Sequence, residues 1–383
     1  MSDAFVYDPF DPDFHATSHD TYRTLRDEHP LYENPDRNFW AISRFEDVWQ
    51  ATIDHEELGT EGVEEGASLL PMLNYLDSPR HDRLRALVSR AFTFRRVNEM
   101  EPHVRRIADE LLDDLSTGDE AELVEAFATP LPGRIIAEMI GVPESRRGAF
   151  LEQSRRMLVT HPDVAIADAI REPSDRIYDE FRLLIDERRR EPQQDLMSAL
   201  LEAEVGGERL SDDEILGFCF QLIIAGNDTT TALIGNGLVL LDHHPEQKAL
   251  LVREPDRIAD AVEEMLRFEP SAQALPRRTI KPYSLHGRTI PPDARVLLVW
   301  AAANLDEREF PDPERFDVTR RAPRHLALGH GIHFCLGASL ARLEARVAFE
   351  TLLERFPDYA LAKQPDWLPS RWARAHPEIH VRL

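Results

Sequence analysis

The sequence predicts a mainly α protein with small β-sheets, organised as one domain over residues 1–383 around a long central helix. Three observations predict it. Apolar positions recur at helical spacing, between proline breaks, through residues 100–204. A segment opening at Ser211 and running to about His243 is apolar on nearly every face through its middle, the pattern of a helix threaded through a core. Short β-prone runs, Tyr283–Leu285 and Arg295–Val299, alternate with the turn signals His286-Gly287 and Pro291-Pro-Asp293.

In chain order, a first helix opens at Asp77-Ser-Pro-Arg-His81. The apolar spacing then predicts helices over Met100–Leu115, Arg134–Ile140, Arg146–Leu158, Ser174–Arg189 and Asp195–Glu204. Pro130, Pro143, Pro162, Pro173 and Pro192 break them, and Gly206-Gly207 is a further break. Ser211-Asp-Asp-Glu214 places a capping serine three residues before a glutamate, a reciprocal N-terminal cap for the long helix. Another helix spans about Asp256–Phe268 and stops before Pro270. Phe310-Pro-Asp-Pro-Glu-Arg-Phe316 reads as an irregular loop, Leu336–Phe356 as the last helix and Glu378–Arg382 as a final strand. No repeat, low-complexity tract or linker divides the chain.

Hydrophobic residues make up 42% of the chain, enough for a substantial core. Against 70 acidic residues stand 45 basic ones, a net charge of −25, which argues against a general nucleic-acid binder with its basic footprint. Two cysteines, Cys219 and Cys335, argue against a disulfide framework and suit a reducing compartment. The N-terminus shows no basic stretch followed by an apolar run, and no segment approaches the roughly 18 apolar residues of a membrane span. The expectation is a cytoplasmic protein without a membrane anchor.

Chemistry concentrates in four segments. In Leu328-Gly-His-Gly-Ile-His-Phe-Cys-Leu-Gly337, three glycines surround Cys335 just before a helix. Glycine permits tight turns, and a helix N-terminus lowers a thiol's pKa, so the sulfur is suited to ligate a metal as thiolate. Taken alone, the segment also fits an ordinary buried cysteine, or a zinc site using His330, His333 and Cys335 that lacks a fourth ligand nearby. Ala225-Gly-Asn-Asp-Thr-Thr230 sets a glycine, an acid and two hydroxyls in the middle of the apolar helix. Each is costly or bending there, and together they read either as a working site or as a polar kink satisfied by neighbours. Glu264 and Arg267 stand three apart on one helix, by default a solvated pair. His81 and Arg85 share a helix face.

These segments, in this order and spacing, resemble the cytochrome P-450 family. Residues 328–337 resemble its haem-binding signature: an aromatic residue, Gly, any, Gly, any, His or Arg, any, Cys, any, Gly, followed by Leu-Ala-Arg and Glu. Leu328 departs from it, standing where the family usually has phenylalanine. The resemblance implies the cytochrome P-450 fold, with the long helix over the haem, and heme b (iron protoporphyrin IX) as cofactor. It makes Cys335 the thiolate ligand and places His333 and Gly337 in the cofactor-binding loop. It assigns Gly226 to making room where the helix passes the haem, and Asp228 and Thr229 to a catalytic acid–alcohol pair that delivers protons during oxygen cleavage. His81, Arg85 and Arg277 correspond to residues that bind haem propionates, with Arg278 leaving a one-residue ambiguity. Glu264, Arg267 and Arg315 correspond to a buried network bracing the haem core. The resemblance covers nearly the whole chain, including an extended N-terminal part and the final strand, and the length resembles the soluble bacterial members.

The implied activity is monooxygenation, one oxygen atom from O2 entering a partly lipophilic small molecule. The chain shows no flavin or iron–sulfur domain, so electrons are expected from a ferredoxin and its reductase. Arg80, Arg83, Arg90 and Arg342 are expected to form the docking patch. Leu69, Leu70, Met72, Ile224, Ala225, Ala272, Ala274 and Leu275 are expected to line the substrate pocket. The alternatives are a peroxide-driven peroxygenase or non-oxygenating enzyme on the same fold, and a haem-binding sensor or recruitment module. The Asp228–Thr229 pair stands against both.

Overall fold

A computed structural model describes residues 5–11, 14–63, 70–115, 119–158, 166–368 and 373–383. The chain forms two compact units. One comprises Met1–Val63, Ala232–Cys335 and Leu352–Leu383, the other Glu64–Thr231 and Leu336–Thr351.

The first unit carries the main sheet, five strands in the order Leu31–Asn34, Phe39–Ile42, Arg295–Leu298, Leu275–Thr279, Leu58–Gly59. Phe39–Ile42 pairs antiparallel with Leu31–Asn34 and parallel with Arg295–Leu298, Val296 opposite Trp40. A separate hairpin joins Tyr283–Leu285 to Arg288–Ile290 through His286 and Gly287, both at positive φ. The helix Phe45–Ile53 buries Phe45 and Val48 in a core with Ile42, Val296 and Leu298. The N-terminal part is not extended, contrary to expectation: it holds the helix Phe14–Glu28 and a hairpin as well. Phe14, Ser18, Tyr22 and Leu25 are buried at helical spacing, but two histidines and several hydroxyls among them dilute the apolar pattern.

The second unit packs the helices Arg80–Ala91, Glu101–Leu115, Pro130–Ile140, Glu144–Leu158, Ile166–Arg190 and Leu196–Glu202 with the first part of the helix Asp212–His243. Ile136, Phe181, Leu200, Phe218 and Ile223 belong to one buried cluster. The long helix starts as its sequence reads. Ser211 Oγ accepts the Glu214 N–H at 3.2 Å, and Glu214 Oε2 accepts the Ser211 N–H at 2.8 Å. Pro173 does not break a helix but lies inside Ile166–Arg190, sacrificing one backbone hydrogen bond within an otherwise long amphipathic run. Gly217 marks the closest approach in this unit: a Cβ there would stand 2.1 Å from the Pro71 carbonyl oxygen. Nothing in the apolar pattern singles it out.

Candidate functional site

In the first unit, two left-handed glycines shape the cysteine loop. Gly329 and Gly331 both have φ of 69°, and Gly331–His333 forms a single 3-10 turn. The Cys335 N–H donates to the Leu328 carbonyl at 2.9 Å, closing the loop on itself. Cys335 is half-buried and Phe334 is 38% exposed, whereas Cys219 is fully buried in the long helix, where burial pushes its thiol pKa far up. Leu328 is buried beneath the loop. Gly337 follows, just before the helix Ala338–Arg355.

Arg277 and Arg278 separate cleanly. Arg278 bonds the Glu61 carbonyl at 2.9 Å and Asp293 at 2.6 Å at the surface, while Arg277 is 4% exposed on the strand Leu275–Thr279. Ala272, Ala274 and Leu275 precede it, each partly exposed.

The bracing network needs one correction. Glu264 and Arg267 are wholly buried and paired twice, at 2.7 and 2.8 Å. Arg315 is not their partner: its side chain is 67% exposed and reaches only Asp317, at 4.0 Å. The third member is Arg320, whose Nε meets Glu264 Oε1 at 3.2 Å and whose remaining donors bond the Pro311, Asp312 and Arg315 carbonyls. The loop's turn, with the Arg315 N–H on the Asp312 carbonyl, points the Arg315 side chain outward and presents its backbone inward.

In the second unit, the long helix has an open face. Phe218, Cys219, Phe220 and Ile223 are buried, but Leu222, Gly226 and Thr229 are partly exposed and Ala225 is fully so, a stripe at helical spacing. Thr229 Oγ1 donates to the Ala225 carbonyl at 2.6 Å. The Asp228 carboxyl has no ion-pair partner among the described residues, and desolvation raises its pKa well above the usual range. A Cβ on Gly226 would lie 2.6 Å from Ile136 Cδ1, so the glycine also lets the helix Pro130–Ile140 pack close. His81 is fully buried, its Nδ1 3.0 Å from Asp82, and Arg85 is half-buried one turn on. Leu70, Met72 and Ile224 pack on the buried cluster. Leu69 lies outside the described residues.

Two arginines of the expected docking patch are engaged within the unit. Arg83 pairs with Glu208 and Glu214, and Arg90 bonds the Glu204 carbonyl at 2.9 Å.

The donor set fits a haem. Cys335 offers one sulfur, and among the described residues no group of three or more His, Cys, Asp or Glu could hold a metal ion, so the other ligands must arrive with the metal, as a porphyrin's nitrogens do. His330 is stacked on Trp49, ring centroids 3.7 Å apart, which speaks against zinc shared with Cys335. Beside Gly329, the buried indole N–H of Trp300 has no hydrogen-bond acceptor, a donor left over for a bound group.

Comparison with known proteins agrees. The family model described as cytochrome P450 matches residues 163–367. A putative cytochrome P450 123 of Mycobacterium tuberculosis is 41% identical over 367 residues, 92% of this chain and 90% of the relative. The vitamin D(3) 25-hydroxylase of Pseudonocardia autotrophica is 39% identical over 377 residues, covering 95% and 93%. The solved structure of cytochrome P450 CYP109Q5 from Chondromyces apiculatus superposes with a TM-score of 0.92 at 38% identity, over 98% of this chain and 97% of that one. No helix among the described residues is long and apolar enough to cross a membrane.

Proposed function

The chain belongs to the cytochrome P450 family, and from that premise we propose that it inserts one oxygen atom from O2 into a partly lipophilic small molecule. The observation that carries this reading is the open stripe of the long helix with Asp228 and Thr229 within it. A haem bound at Cys335, of the b type, supplies oxygen activation and transfer to a C–H or C=C bond.

The protein's own residues do the rest. Cys335 holds the iron as thiolate, in a loop whose backbone its glycines shape. His81, Arg85 and Arg277 meet the propionates, the cations that buried carboxylates require. Desolvation favours the protonated form of the Asp228 carboxyl, which suits it to be a proton source. Thr229 directs its own hydroxyl proton at the Ala225 carbonyl, leaving its oxygen lone pairs to accept a hydrogen bond from a donor on the open face of the helix. Ile224, Ala225, Leu70, Met72, Ala272, Ala274 and Leu275 supply apolar contact for substrate, and the hydroxylase relative makes vitamin D(3) the first probe. Electrons come from a ferredoxin and its reductase. Docking falls to the patch of Arg80, Arg83, Arg90 and Arg342, in which Arg83 and Arg90 are also bonded within the unit.

The test begins with the absorption spectrum of the reduced, carbon-monoxide-bound protein. A strongly red-shifted Soret band that disappears in Cys335→Ala is expected, followed by a spin-state shift on titrating vitamin D(3). Turnover must then depend on reduced redox proteins. Product formed from peroxide alone, at the same rate, would transfer the protein to the peroxygenase reading.

A further inference from the structure

Arg374 of the first unit is tethered through both its side chain and its backbone. It is 5% exposed and bidentate with Glu269, its Nη2 3.4 Å from Oε1. Its Nη1 donates to the His15 carbonyl at 2.6 Å, and its guanidinium lies 3.6 Å over the Trp367 ring. The backbone is tied as well. The Arg374 N–H donates to the Ser271 carbonyl at 2.8 Å, and its own carbonyl accepts from Asn236 at 2.9 Å. His19 completes the cluster, 2.9 Å from Glu269. Burial alone would raise the Glu269 pKa, but Arg374 and His19 outweigh it and hold the carboxyl at about 2.

These tethers converge on one short segment. Ser271 is bonded by Arg374, and two residues on, the Gln273 carbonyl accepts the Ala301 N–H at 3.0 Å. Tyr22 of the helix Phe14–Glu28 donates to Gln273 Oε1 at 2.6 Å, and Gln273 Nε2 turns back to the Pro270 carbonyl. Burial alternates along the segment. Ser271 and Gln273 are buried on the tethered side, while Ala272 and Ala274 are partly exposed on the other, with Leu275 following. One face is clamped, and the opposite face is apolar and partly exposed, with Ala272 and Leu275 packing in part on the apolar core of the unit.

We propose that Arg374, with Glu269 and Tyr22, is a positioning clamp that sets where Ala272, Ala274 and Leu275 stand, and thereby which bulky ligands the pocket admits. The clamp touches no ligand itself. This rests on the reading of that segment as pocket wall. Removing Arg374 leaves the buried Glu269 carboxylate with His19 alone and frees the Ser271 side of the segment of its side-chain anchor, so the segment shifts or loosens rather than simply losing one bond.

Two probes read the effect on the haem-loaded protein. Imidazole binds iron with little use for the wall, whereas phenylimidazole must fit beside it. In Arg374→Ala, phenylimidazole affinity should change about tenfold, the scale of a one-methylene misfit in an apolar pocket, with imidazole affinity and the carbon-monoxide spectrum unmoved. Deuterium exchange in the peptide spanning 270–276 should accelerate, while a peptide from the helix Pro130–Ile140 stays unchanged. Should Arg374→Ala fail to fold, Tyr22→Phe and Glu269→Gln read the same ratio with gentler changes. Affinities that move together, or a ratio unchanged in folded variants, would overturn the proposal, as would unaltered exchange at 270–276. A wild-type protein without the red-shifted Soret band would instead sink the functional reading, and the exchange measurement would still decide the clamp.

Discussion

Buried acids are handled in opposite ways at two pairs of sites, one pair in each unit. In the first, Glu264 and Glu269 are saturated. Glu264 meets Arg267 twice, Arg320 once and the Asp317 N–H at 3.0 Å, and Glu269 meets Arg374 and His19. Arg267 sends its remaining donors to the Asn304 and Pro313 carbonyls at 2.8 and 2.9 Å. In the second, Asp228 and Glu344 face no cation among the described residues, and desolvation pushes both pKa values well above normal. A buried carboxyl either finds charge and hydrogen bonds or takes up a proton. The first kind is scaffolding, because its charge is spent on geometry. The second kind keeps a proton inside the fold, and where it borders open space, as Asp228 does, that proton is usable.

The largest expected effect comes from breaking a saturated pair. Arg267→Ala leaves Glu264 charged and enclosed, and should cost about 3–5 kcal/mol in urea denaturation near neutral pH, or prevent folding. A loss under about 1 kcal/mol would mean that the pair is not what holds this region together, and the contrast would fail.

Asp228→Asn is the opposite case. A raised folded-state pKa means that the wild-type contribution to stability is fullest below the unfolded value, about 3.9, and falls as pH rises through the folded one. The amide has no such dependence. The variant should match the wild type in mildly acidic buffer and equal or exceed it in mildly alkaline buffer, while turnover driven by redox proteins drops about 100-fold. A variant markedly weaker at both would show that the carboxylate is charged and paired.

Legibility from sequence followed the same division. The capping box at Ser211 and Glu214, the long helix, the strand at Arg295 and the glycine-framed cysteine could all be read, because each is a local pattern with its own period or spacing. The N-terminal helix was lost among polar residues, and Pro173 was taken for a break that tertiary packing overrides. Gly217 and the Arg374 cluster were invisible because their reasons lie in contacts with Pro71, and with His15 and Ser271, far away in sequence. Arg315 was misassigned for a subtler reason. The motif fixed the loop but not which arginine turns inward, a choice made by the backbone turn at Asp312.

That correction makes a smaller, sharper prediction. Arg320→Ala removes a charged contact to Glu264 and the bonds to the loop carbonyls, and should cost about 1–2 kcal/mol. Arg315→Ala should stay within about 0.5 kcal/mol of wild type, as surface substitutions do. Paired denaturation curves measure both, and the reverse ranking would restore Arg315 to the network.

The smallest effect should come from Glu344→Gln. Glu344 is 1% exposed in the helix Ala338–Arg355, and its Oε1 is buried without a hydrogen bond. A protonated glutamic acid and a glutamine have nearly the same shape, so the substitution changes little wherever the wild-type carboxyl is neutral. Its folded pKa is raised, so wild-type stability is fullest below about 4.3 and declines as pH climbs toward the folded value. The two proteins should coincide in mild acid, with the glutamine variant pulling ahead in alkaline buffer. Activity should not change, since a neutral carboxyl and an amide have nearly the same shape and charge. If the variant instead trails the wild type, and more so at high pH, then Glu344 is ionised in the fold and its charge stabilises it. Glu344 would then be held as the first unit's acids are, and as Asp195 is by Arg188, leaving Asp228 as the exception.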